Sequence, residues 1–201
     1  MKKKLLALTA ALCGVTVALA GCQAALVSSD VKMEKTGAGT KTITAIIYGD
    51  NSILAGKSPT EEEGNTVGNN SKYLLVSGTA LENKVKSYSA LNDITVKATE
   101  KDGDTELTIT YSFTSIADYN TKTKTLAKDD AADIEDATWT ENADGTYTYK
   151  ENCDNTQYSI DNIFASLWND SEAFDKTGMG DCDLEAYGYN YTCIYTIISV
   201  S

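Results

Sequence analysis

The chain has 201 residues, with 17 Lys+Arg against 29 Asp+Glu and a formal net charge of −12. Every basic residue is a lysine and there is no histidine, which excludes His-dependent nucleophilic catalysis and an arginine clamp for phosphate or carboxylate. An acidic chain also repels a phosphate backbone, so nucleic acid is excluded as a partner, while the length suffices for one domain with a real core.

Lys2, Lys3 and Lys4 precede an apolar stretch of 16 residues, Leu5 to Ala20. That is short of the ~20 apolar residues that span a bilayer and suits the h-region of a secretory signal. It closes on "LAGC", Leu19 to Cys22. The ending resembles, at all four positions, the lipobox of bacterial lipoproteins. The resemblance implies cleavage before Cys22, a thioether-linked diacylglycerol on that cysteine, and a place on the extracytoplasmic face of the cell membrane. Acyl chains hold a domain there at ~0.8 kcal/mol per buried CH2. Residues 1–21 are then the signal peptide, and losing its three lysines takes the net charge to −15.

Residues 22–40 read as the lipidated N-terminus and a flexible tether, since "SSD" and "TGAGT" are spacer chemistry with few large apolar groups. A single acidic domain is expected over residues 41–201. "TITAIIY", Thr42 to Tyr48, is a β-branched run and reads as a strand. A long polar loop holding the one proline, Pro59, leads to "KYLLV", a second strand candidate. In "TALENKVKSYSAL", Thr79 and Glu82 have capping-box spacing, and Leu81, Val85, Tyr88 and Leu91 recur at helical intervals.

"DITVKATEKDGDTELTITYSF" alternates on both sides of Asp102-Gly103, which predicts a hairpin. A helix follows, with Ser115 and Asp118 at capping spacing. "ATWTENADGTYTYKE" repeats the hairpin pattern around Asp144-Gly145, and "SIDNIFASLWND" predicts a helix with the apolar stripe Ile160, Ile163, Phe164, Leu167 and Trp168. The two Asp-Gly turns lie 42 residues apart and the two Ser-Ile helix starts 44 apart. This spacing fits either repeated β-β-α units, with the N-terminal strands and the Thr79–Leu91 helix as a third copy, or a common hairpin-then-helix motif recurring by chance. The chain closes on "YGYNYTCIYTIISV", a long strand. The expected class is α+β, an antiparallel sheet with helices packed on one face. "LTITYSFTSIADYNTKTKTLA" is similar to a strand–helix stretch of small lipoproteins of Gram-positive bacteria; the resemblance implies an envelope setting, carries no catalytic signature and adds no chemistry.

Candidate sites are few. Tyr187, Tyr189, Tyr191 and Tyr195 share one face of the last strand and form either a stacking platform for sugar rings or a core face. Asp175, Asp181, Asp183 and Glu185 put oxygen ligands on a Gly-bearing loop, without EF-hand spacing. Ser29 and Lys32 fit S-x-x-K, with "KTG" at Lys35 and at Lys176, but no S-D-N lies between. Cys153, Cys182 and Cys193 allow at most one internal disulfide and match no zinc spacing. No metal, cofactor or catalytic set is expected. The expected role is non-enzymatic: binding an envelope protein or glycan, or a structural part at the cell surface. The alternative is an envelope hydrolase using carboxylates or a Ser/Lys pair.

Overall fold

The computed structural model describes residues 26–47, 74–152, 154–175 and 192–200. Its elements run β1 (Leu26–Met33), β2 (Gly39–Ile47), α1 (Gly78–Tyr88), β3 (Thr95–Lys101), β4 (Asp104–Phe113), α2 (Ile116–Ala127), β5 (Thr138–Glu141), β6 (Tyr147–Lys150), α3 (Asp154–Asn169) and β7 (Thr192–Val200), with a 3-10 turn at Lys128–Ala132 after α2. The main sheet has the order β3-β4-β2-β1-β7, and β5-β6 form a separate two-stranded ribbon. The class is α+β, as the alternating hairpins and helices predict. The pairs β1/β2, β2/β4 and β3/β4 are antiparallel. The expected fully antiparallel sheet is modified at one edge, where β7 runs parallel to β1.

The reading of residues 22–40 as a flexible tether is overturned from Leu26 onward, while residues 22–25 lie outside the described residues. Residues 26–33 form β1, with Val27, Ser29, Val31 and Met33 all buried. "TGAGT" belongs to the tight turn into β2: Gly37 N donates to Glu34 O (2.9 Å) and Glu34 N to Ala38 O (2.8 Å). Gly37 sits at φ +82°, where a side chain is strained, and a Cβ on Gly39 would stand 2.0 Å from Lys32 O. The two glycines are therefore what the turn and the close strand approach require. The folded part begins no later than Leu26, not near Lys41.

The three described helices lie on the inward face of the sheet. Ile43, Ala45 and Ile47 of β2 alternate with partly exposed Thr40, Thr42 and Thr44. Leu107, Ile109, Tyr111 and Phe113 of β4 do the same. The stripe expected on the last helix is core: Ile160, Ile163, Phe164, Leu167 and Trp168 are buried among these residues and those of α1 and α2. β3 forms one edge of the sheet, and Glu82 of α1 accepts a hydrogen bond from Ala98 N there (3.1 Å). That blunts one donor of an edge strand.

Helix starts separate the local signals that held from those that did not. Ser115 caps α2 by accepting from Asp118 N (3.1 Å), and Asp118 accepts in return from Thr114 N (2.8 Å). Thr79 and Glu82 form no such box, because α1 starts after Ser77 and Glu82 is turned to β3. α3 starts at Asp154, five residues before the expected Ser159, whose hydroxyl instead donates back to Asn155 O (2.9 Å) inside the helix. Of "KYLLV", Leu74 to Val76 are described, and there Leu74 makes one antiparallel bridge with Phe174; Lys72 and Tyr73 lie outside the described residues. Among the described elements the order β-β-α occurs three times, but β5-β6 leave the main sheet, and Ser115 and Ser159 hold different places in their helices.

Candidate functional site

The alternation of β2 places Lys41 on the same inward side as Ile43, Ala45 and Ile47, and its side chain is 0 % exposed. Its cross-strand neighbours are Val31 on β1 and Tyr111 on β4. A buried ammonium has to be paired and hydrogen-bonded. Lys41 Nζ donates to Glu151 Oε1 (2.7 Å), in the residue following β6, and to the hydroxyl of Tyr119 on α2 (2.7 Å). The Tyr119 hydroxyl in turn donates to Glu151 Oε1, and Tyr149 of β6 donates to Oε2 (3.0 Å). The Glu151 side chain is 3 % exposed.

Aromatic rings wall this group. Tyr119 lies edge-on to Phe113 (centroids 5.0 Å) and to Tyr149 (6.3 Å), and is stacked at 6.3 Å on Tyr111, whose hydroxyl bonds to Thr123 (3.1 Å). Lys41 Nζ stands 5.3 Å from the Tyr119 ring centre, within cation–π range. Burial pushes Tyr119 far above the usual phenol range, and neighbouring Tyr111 and Glu151 push the same way. Burial raises Tyr149 and Tyr111 as well. All three phenols therefore stay protonated across the physiological range, and Tyr119 and Tyr149 both donate to Glu151.

The arrangement ties β2, α2 and the β6–α3 connection to one charged centre. It offers proton relay and hydrogen bonding within the core, with both charged groups shut from solvent. Removing one partner of a buried pair typically costs ~3–5 kcal/mol, because the other charge is stranded.

The residues singled out from sequence are distributed differently. Cys22, Tyr187, Tyr189 and Tyr191 lie outside the described residues, while Tyr195 falls within β7, the edge strand beside β1. Ser29 and Lys32 sit on a strand three positions apart, so they face opposite sides, Ser29 buried and Lys32 exposed, and cannot act as a Ser/Lys pair. Of the acidic loop only Asp175 is described; Asp181, Asp183 and Glu185 lie outside, as do Cys153 and Cys182. Among the described residues no cluster of His, Cys, Asp or Glu is suited to a metal. The Lys41 centre escaped the sequence reading, which began the strand at Thr42. The available signal was parity: Lys41 shares the two-residue period of Ile43, Ala45 and Ile47.

The outward face of the sheet has the opposite character. Cross-strand rows there read Ser28–Thr44–Thr108–Lys97 and Asp30–Thr42–Thr110–Thr95. Thr42 and Thr110 bond hydroxyl to hydroxyl (3.1 Å). A depression of about 320 Å³ borders this face, lined in part by Lys32, Glu34, Thr40 and Ser112. No protein-family model, curated protein or solved structure matches the chain.

Proposed function

We propose that this is an extracytoplasmic lipoprotein, held to the cell membrane through Cys22, whose domain has a non-enzymatic, binding role at the envelope. The lipobox supports the address. The observation that carries the binding role is the division of the sheet into two faces. One face holds the helices and encloses the charged centre. The other is an even, partly exposed array of Thr and Ser hydroxyls with a scatter of single charges. Such a face suits a flat ligand rich in hydroxyls, which can both donate and accept. The acidic chain disfavours polyanions. The occupant we favour is therefore an uncharged stretch of envelope glycan. The buried position of Lys41 and Glu151 supports a structural rather than hydrolytic use of those groups.

The test has two arms. Cys22→Ala should release the chain from the membrane fraction or block its processing; a cleaved variant that stays membrane-bound refutes the anchor. For the ligand, the chain from Gln23 onward is titrated with soluble neutral cell-wall polysaccharide, alongside a Thr42→Val, Thr110→Val double variant. Saturable binding that the double variant weakens at least tenfold supports the outer face. Equal binding by both proteins, or none by either, refutes it.

A further inference from the structure

We infer that Lys41 and Glu151 condense to an amide, forming a covalent link inside the domain between β2 and the residue after β6. The inference is independent of the envelope reading above. It rests on four features of the buried centre: the contact between ammonium and carboxylate, their exclusion from water, the phenol that bridges them, and a second phenol on the other carboxylate oxygen.

Lys41 Nζ lies 2.7 Å from Glu151 Oε1, one C–O bond from the carboxyl carbon. Intramolecular contacts of this kind reach effective molarities of ~10⁵–10⁸ M. Both side chains are almost fully buried, so the hydration that keeps an amine and a carboxylate ionised in water is missing. The amide carries no charge, and the released water can leave the core.

Tyr119 supplies the proton path. Its hydroxyl accepts from Nζ (2.7 Å) and donates to Oε1. A proton passed along this bridge converts the ion pair to amine and carboxylic acid without solvent. The amine lone pair then attacks the carboxyl carbon. Negative charge develops on Oε2, where the Tyr149 hydroxyl donates at 3.0 Å. A second proton moves from the attacking nitrogen through Tyr119 to Oε1. The C–Oε1 bond breaks and one water leaves, carrying two of the three Nζ protons; Oε2 becomes the amide oxygen. Ammonium plus carboxylate gives amide plus water, with no oxidant, reductant or co-reactant.

The measurement is a tryptic peptide map of the purified, folded full chain, denatured just before digestion. The link predicts no cleavage after Lys41 and a branched peptide joining residues 36–57 to residues 151–176, lighter than its two parts by one water. Tyr119→Phe keeps the ring in the core and removes the relay, so the branched peptide should fall at least tenfold in a variant whose circular dichroism shows it folded. Tyr149→Phe, at a partly exposed position, should slow the link while leaving the fold intact. Separate peptides of full mass from the wild-type chain overturn the inference. So does a water loss that maps to Asp102-Gly103 or Asp144-Gly145, where a cyclic imide gives the same mass change. A branched peptide undiminished in Tyr119→Phe overturns the relay.

Discussion

Shortening the chain to residues 41–201 discriminates most sharply between a tether and a core strand. It removes all of β1, and with it the buried side chains of Val27, Val31 and Met33, each 0–1 % exposed. Burying one such side chain is worth ~1.5–3 kcal/mol, so the three together contribute about 5–9 kcal/mol. A whole domain is typically stable by only ~5–15 kcal/mol. The deletion also takes the strand that lies between β2 and β7, and with it the one partner of β7 among the described strands. Thermal melts followed by circular dichroism should therefore show a cooperative transition for residues 23–201. They should show none for 41–201, or one lowered by ~10–35 °C at ~2–4 °C per kcal/mol for a domain of this size. The point version separates packing from length: Val31→Ala should lower the melting temperature clearly, while Lys32→Ala, exposed on the same strand, should stay within about ±0.5 kcal/mol of wild type. Cooperative melting of 41–201 within a few degrees of the longer chain would refute the assignment of β1 to the core.

Phe164 is fully buried at the centre of α3. Phe164→Ala should cost ~3–5 kcal/mol and lower the melting temperature by ~6–20 °C, whereas Leu75→Ala, 54 % exposed, should be nearly silent. Asp170 accepts from Lys84 Nζ (2.8 Å), Tyr88 (2.5 Å) and Glu172 N (2.9 Å), and its carboxyl is held down at about 2, Lys84 contributing most. A folded-state value below the ordinary carboxylate range means its stabilisation is present above that range and lost as pH falls to about 2. The wild type should therefore lose more melting temperature than Asp170→Asn across that acid interval; parallel curves would show that this centre does not couple to folding.

What could be read from the sequence alone was whatever its local order encodes. The "LAGC" ending carries the expected address without reference to any fold. The α3 stripe from Ile160 to Trp168 and the hairpins about Asp102-Gly103 and Asp144-Gly145 are periodic or turn-coded within about twenty residues, and all three appear in the structure. β1 was not legible, because Val-Ser-Ser-Asp-Val-Lys-Met is poor in bulk. Its serine at an inward position becomes acceptable only once β2 and α3 cover it, with Thr156 of α3 donating to Ser29 (3.4 Å). The parallel pairing of β7 with β1 joins opposite ends of the chain, so no local pattern specifies it. Lys41 is the clearest case. A lysine in an apolar period reads as an exposed strand end, and only the arrival of Glu151, 110 residues away, together with the hydroxyls of Tyr119 and Tyr149, makes its burial tolerable. Desolvation forbids that ammonium an interior place by itself, and tertiary contact alone supplies the partners that lift the prohibition.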